Sequence, residues 1–306
     1  MTKQAAVAPR PGAGHAAIRL RAAIFALLFL LGAAFAGAAF AQSSQPRTIT
    51  FPSADGKTTL VGYLFAPAGR PKTAPAVVLM HGRTGAYSSL ARGNYSSVTL
   101  EKRIRSWAEL WAQQGYWALV VDSFGPRGYP QGYNVGTAAG KPAAAGEARV
   151  WPLDAYAALR YLRSSPRVKG DRIALQGWSN GGTATLAAMS RDDLPEAETK
   201  SGHAFRIALA MYPNCTSQER LKDDYQPYAP VHIFVGARDD ETSSAACVQL
   251  AAAAHQAGGE VAVTVLPGAT HDFDQSAGER QQLAANVAAA VETRKQAIAL
   301  LTAALR

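Results

Sequence analysis

Cysteine is scarce in this 306-residue chain: only Cys215 and Cys247 occur. There is no Cys/His cluster, no H-E-x-x-H and no G-x-x-x-x-G-K-[ST], so nothing points to a zinc site or a phosphate-cradling loop, and chemistry without metal or cofactor is expected. Acidic residues are missing from the first 41 positions, which carry Lys3, Arg10, Arg19 and Arg21. Over the whole chain 31 Lys and Arg face 22 Asp and Glu; without those four the balance is 27 against 22, a modest excess of 5. No basic run is dense enough for a nucleic-acid groove, so a solvated basic surface and no nucleic-acid partner are expected. A composition break, a Ser/Gly linker and an internal repeat are also absent after residue 42, and residues 42–306 read as one domain. With 48% hydrophobic residues, that length supports a substantial core.

What the N-terminus does have is Arg19-Leu20-Arg21 before an apolar run from Ala22 to Ala36, then the small-x-small triplet Ala39-Phe40-Ala41. This reads as a secretory signal over residues 1–41, removed near Gln42, with no stable membrane insertion afterwards. An uncleaved anchor is the rival, because Ala22 to Ala41 is long enough to span a bilayer. No Arg pair precedes the apolar run, which favours the general export route. Export places the protein in the periplasm or outside the cell, where Cys215 and Cys247 are expected to pair across a separation of 32 residues.

Residues 47–66 alternate around the turn Ala54-Asp55-Gly56-Lys57, as a β-hairpin does. Apolar runs then recur as buried strands at 76–80, 116–121, 172–176, 207–211, 232–235 and 261–266. Helical periodicity falls between them at 103–114, 154–163, 183–189 and 244–256. A terminal helix is marked by Leu283, Val287, Val291, Ile298 and Leu301, whose stripe is expected to pack on the sheet. The stretch 129–146 has no periodicity and reads as a long surface loop, either a lid or binding loop or a disordered segment. Alternating strands and helices predict an α/β fold: a mostly parallel, doubly wound sheet of about eight strands with helices on both faces.

In such a sheet reactive groups gather beyond the carboxyl ends of strands. Ser179, in Gly177-Trp178-Ser179-Asn180-Gly181-Gly182, follows the 172–176 run with the spacing of a nucleophile on a sharp strand-to-helix turn. His271 follows the last strand and is the candidate general base. His232 lies inside a strand and His255 inside a helix, both read as structural or solvated, while His15 falls in the leader and His203 has no motif around it. Asp239 or its neighbour Asp240 would orient the base, with Asp239 preferred because it is nearer the strand end. The backbone amides of Asn180 and of Arg83, in His81-Gly82-Arg83, are the candidate oxyanion donors. The Arg83 side chain is free for another role and, with Arg127, offers a site for an anionic acyl or leaving group; ordinary surface arginine is the preferred reading of both.

Together with Asp122-Ser123-Phe124-Gly125-Pro126-Arg127-Gly128, Gly236-Ala237-Arg238-Asp239-Asp240 and His271-Asp272-Phe273, these motifs resemble the α/β-hydrolases, and within them the dienelactone hydrolase family, over nearly all of residues 47–306. The resemblance implies Ser179 as nucleophile, Asp239 as acid, His271 as base, and the Arg83 and Asn180 amides as oxyanion hole. The enzymes that name the family carry a Cys nucleophile and an acidic residue in the loop after the third strand; Ser179 and Gly82 stand in those places here. A Ser triad implies general esterase chemistry as readily as lactone opening, on a small-molecule ester or lactone, by a monomer. A serine peptidase, and a catalytically silent binding protein on the same scaffold, are the alternatives.

Overall fold

The computed structural model describes residues 45–133, 149–193, 195–202, 204–216, 221, 225–276 and 278–306, besides Met1, Thr2 and Ala5. The leader over residues 1–41, the cleavage site near Gln42, His203 and most of the 129–146 loop lie outside the described residues. The chain forms two compact units, Met1–Ser43 and Ser44–Arg306, and the second holds all the strands and helices described.

The hairpin closes where the turn chemistry puts it. Strands β1 (Arg47–Pro52) and β2 (Thr59–Phe65) pair antiparallel across a turn in which the Asp55 carboxylate accepts from the Lys57 and Thr58 amides and Gly56 takes φ 72°. Strand β2 runs antiparallel to β4 (Trp117–Asp122). The rest are parallel: β3 (Ala74–Met80), β5 (Val168–Trp178), β6 (Ile207–Met211), β7 (Val231–Gly236) and β8 (Val261–Leu266), in the spatial order β1-β2-β4-β3-β5-β6-β7-β8.

Every residue of β3 is buried because successive side chains enter opposite cores. Val78 packs on the face covered by α2 (Trp151–Arg163), α3 (Asn180–Met189) and α5 (Ser244–Gln256). Val77 and Leu79 pack on the face covered by α1 (Lys102–Gln113) and α6 (Ala284–Leu305), where Trp107, Trp111 and Leu301 meet them. A short helix, α4 (Glu196–Ser201), had no signal in the periodicity.

One expectation holds only in part on α6: Leu301 is buried and Ile298 packs against the same core. Leu283, Val287 and Val291 are exposed, Val291 to 64%, and the buried face is Asn286, Ala289, Thr293, Ala297, Leu301 and Leu305. In an Ala-rich helix the small residues give the closest approach to the sheet, and they outcompete bulkier apolar groups for the inner face. Arg127 also departs from a surface reading. It is largely buried and binds both oxygens of Asp154, at 2.7 and 2.9 Å, and Asp55 at 2.7 Å, tying the hairpin turn to α2. It is therefore not available to a substrate anion.

Cys215 and Cys247 are joined by a disulfide that links the segment after β6 to α5 across a separation of 32 residues. Closing a loop of that length restricts the unfolded chain by roughly 3 to 4 kcal/mol. Cys215→Ala/Cys247→Ala is accordingly expected to lose about that much unfolding free energy in urea titrations; an unchanged midpoint rules the bridge out as a stabilising element.

Candidate active site

The turn after β5 is built by close approach. A Cβ at Gly177 would collide with the Gly181 carbonyl oxygen, and one at Gly181 with the carbonyl oxygens of His81 and Met80. Only glycine fits at both, and between them Ser179 takes φ 51° and ψ −116°, a conformation L side chains rarely adopt. The Ser179 amide donates to Met211 O at 2.9 Å, pinning the turn to the end of β6. Its own amide being used, the next one, on Asn180, opens α3 at the helix N-terminus.

His271 sits in the loop after β8, with Nε2 3.0 Å from Ser179 Oγ and Nδ1 3.0 and 3.1 Å from the Asp239 oxygens. The His271 and Asp239 side chains are both buried. Asp239 Oδ1 also accepts the Glu241 and Thr242 amides, at 2.9 and 2.7 Å. Burial works to raise this carboxyl, but the bond and charge of the His271 ring and the two amides outweigh it and hold Asp239 below the ordinary carboxylate range. Asp240 does not reach the His271 ring: its side chain is 59% exposed, faces Arg280 at 3.1 Å and accepts from the His271 amide at 3.4 Å.

The peptide joining Gly82 to Arg83 is held from behind. His81 is buried, its Nε2 lies 3.1 Å from the Ser123 amide and its Nδ1 2.7 Å from Gly82 O. An amide can only donate, so Nε2 is the bare nitrogen and Nδ1–H donates to Gly82 O. Burial holds this ring in its neutral form by lowering its pKa. The fixed carbonyl sets the direction of the Arg83 N–H on the same peptide plane, next to the turn: a Cβ on Gly82 would stand 3.7 Å from Ser179 Cβ. The Arg83 side chain is not free. It pairs with Glu241, which also takes Arg280 at 3.2 Å and lies 3.8 Å from His271 Nε2. From the start of the 129–146 loop, the Tyr133 amide donates to Arg83 O at 3.2 Å and its hydroxyl accepts from the Asn180 side chain at 2.7 Å.

Behind the relay lies a buried network that sequence reasoning missed. The Tyr212 ring packs edge-on against His271 with centroids 4.7 Å apart, and its hydroxyl donates to Asp274 Oδ1 at 2.6 Å. Asp274 Oδ2 accepts both indole N–H groups, Trp107 at 2.8 Å and Trp178 at 2.9 Å. Arg103 binds Tyr212 Oη at 2.8 Å and pairs with Asp272. One carboxylate thus ties the residue before Ser179 to the loop that carries His271. Asn286 braces the same loop, accepting from the Thr270 amide at 2.9 Å and donating to Thr270 Oγ1 at 3.0 Å. Trp178 and Asp272 stand in the motifs around Ser179 and His271, but Arg103, Tyr212, Asp274 and Asn286 have no local motif, and the acidic run Asp239-Asp240-Glu241 was the one visible hint of Glu241.

His232 bonds Thr264 Oγ1 at 2.8 Å on the sheet, and His255 is exposed on α5, both away from this cluster. Glu241, His271 and Asp272 bring one ligand atom each within 4.8 Å, but the His271 nitrogens already face Ser179 and Asp239.

Strand order, with a serine on the strained turn after β5, defines the α/β-hydrolase class. Within it, the chain belongs to the dienelactone hydrolase family, which matches residues 60–305. Solved structures agree on the fold. A dienelactone hydrolase-like promiscuous phosphotriesterase from metagenomic libraries superposes with a TM-score of 0.63 at 17% identity, over 85% of this chain and 98% of that one. A putative dienelactone hydrolase from Klebsiella pneumoniae gives 0.60 at 19% identity, over 84% and 97%. An esterase from Thermogutta terrifontis, bound to propionate, gives 0.58 at 17% identity, over 85% and 96%.

Proposed function

We propose that this hydrolase cleaves a small carboxylic ester or lactone through an acyl-enzyme on Ser179. The observation that carries the reading is the unbroken run of contacts from Ser179 Oγ through His271 to Asp239. Ser179 Oγ attacks the carbonyl carbon as His271 Nε2 takes its proton. The Asp239 carboxylate holds Nδ1–H and stabilises the imidazolium. The tetrahedral oxyanion is held by the Arg83 and Asn180 amides. His271 then returns the proton to the leaving oxygen, and water repeats the sequence to free the acid; with a lactone, both ends leave as one hydroxy acid.

Action as a monomer is part of the same proposal; Ser179, His271 and Asp239 all come from one copy. The leader composition and the Cys215–Cys247 pairing support export, with residues 1–41 removed and 42–306 acting as one domain in the periplasm or outside the cell. No helix among the described residues is long and apolar enough to cross a membrane.

A fluorophosphonate is expected to label the folded protein once, at Ser179 by peptide mapping. Folded protein that stays unlabelled sinks the reading and leaves the silent binder. A panel of acyl esters, lactones and anilides on the same preparation separates an esterase from a peptidase. If the Arg83 amide serves the oxyanion, His81→Ala should lower kcat about 100-fold with KM nearly unchanged, by releasing the Gly82 carbonyl. An equal effect on KM, or none, removes His81 from that role.

A further inference from the structure

At the end of the sheet opposite Ser179, folding gathers cations that are scattered in sequence. Two adjoining cavities of about 490 and 540 Å³ share Ala66, Trp117 and Arg167 and form one groove around the start of β5. Val168 pairs with Ala74 and Gly177 with Met80, six residues further along β3, so the groove at Val168 lies roughly 20 to 25 Å from the catalytic turn. Arg47 and Arg167 line one compartment, Arg70, Lys72 and again Arg167 the other, and no carboxylate lines either. All four cations are exposed, and among the described residues none of them makes an ion pair. Arg70 and Lys72 are exposed, next to the glycine turn between β2 and β3.

Two half-buried aromatic side chains stand among them with their polar edges outward. Tyr161 Oη accepts from Arg47 at 3.3 Å, and Trp117 Nε1 donates to Arg167 O at 3.2 Å. Beneath them the floor is apolar, with Leu64, Leu162 and Val168. An apolar floor, amphipathic rings and a rim of unpaired cations match the layering of a lipid interface, where acyl carbons give way to anionic headgroups.

We propose that this groove docks the protein on an anionic phospholipid surface. Docking by this end turns the mouth of the catalytic site toward solution, so substrate is taken from water rather than drawn out of the bilayer. The inference is independent of which acyl group the enzyme accepts.

The test is sedimentation of the exported protein, its N-terminus read by mass spectrometry, with vesicles of phosphatidylcholine alone or mixed with phosphatidylglycerol. Pelleting with the mixed vesicles only, released by high salt, is expected. Arg70→Glu/Lys72→Glu should weaken the partitioning at least about tenfold. Lys200→Glu/Lys295→Glu, which removes the same charge from exposed sites elsewhere, should leave it within about twofold. All four substitutions are on exposed side chains, and unchanged thermal midpoints verify the folds. Equal loss in both variants assigns the effect to net charge and overturns the proposal. So do equal pelleting with both vesicle types, no pelleting at all, or capture of dextran sulfate without vesicle binding, which assigns the groove to an acidic polysaccharide.

Discussion

Ser179→Ala is expected to lower kcat on an activated ester by about 10⁶-fold, leaving a residue of about 10³ over the uncatalysed reaction from the oxyanion amides and substrate positioning. The loss is large because Oγ is the only atom removed and the rest of the site is indifferent to it. Ser179 N–H still reaches Met211 O, Thr183 N–H still reaches Ser179 O, and His271 keeps Asp239. Ser179→Gly should lose as much activity yet fold more stably than the alanine variant by about 1 kcal/mol, since φ 51° with ψ −116° strains any residue with a Cβ. Urea unfolding of the two variants reads this difference. Equal stability would mean that the turn holds the serine without strain; kcat within about tenfold of wild type for either variant would remove Ser179 as nucleophile.

The parts of this molecule that were legible in the sequence are those set by local chemistry. The hairpin turn at 54–57, the β3 run and the Gly-x-Ser-x-Gly turn each depend on residues within a few positions of one another, so their patterns survive folding unchanged. The order of Ser179, Asp239 and His271 was readable because each comes after a strand, and parallel strands deliver the loops at their carboxyl ends to one end of the sheet. The far ends of long side chains stayed hidden. Whether Arg127 meets Asp154 or solvent, and whether Arg83 meets Glu241 or a substrate, depends on a helix 27 residues away and a loop 158 residues away. The α6 face misled for a related reason: residue type reports hydrophobicity, whereas the face that packs was chosen by how closely Ala289 and Ala297 let the helix approach.

Asp274 shows the same limit at the site itself. It reads as one acid in Asp272-Phe273-Asp274, three residues beyond His271, yet it is the point where Trp107, Trp178 and Tyr212 converge. Its two oxygens accept three donors in a buried setting, so the carboxylate costs little to keep and much to disturb. The reach of the Ser179 to His271 contact is therefore fixed from both sides: the serine through its preceding tryptophan, the histidine through the ring packed against it.

Asp239→Asn is expected to reduce kcat/KM by about 10³ to 10⁴-fold, and Asp240→Asn by less than about threefold. The reason lies in how the Asp239 oxygens are used. Oδ1 accepts the Glu241 and Thr242 amides, at 2.9 and 2.7 Å, as well as lying 3.1 Å from His271 Nδ1, whereas Oδ2 faces Nδ1 at 3.0 Å without those amides. In the asparagine variant the amides keep the carbonyl oxygen, so the NH2 group turns to Nδ1. That nitrogen must then accept, the ring proton moves to Nε2, and the base confronts Ser179 with a hydrogen instead of a lone pair. Near neutrality the stability gap between the variant and wild type is what the ionised carboxylate contributes, although both amides remain satisfied. It changes at low pH: Asp239 sits below its ordinary pKa in the folded protein, so its contribution to stability is complete above that ordinary value and drains away as pH falls through the folded one. The asparagine variant has no such contribution to lose, and its stability should vary less with pH on the acid side. Asp240 meets only Arg280 and the His271 backbone amide at the surface, and removing its charge leaves the relay intact. If Asp240→Asn instead proves the costly change while Asp239→Asn turns over normally, the acid of the relay is Asp240.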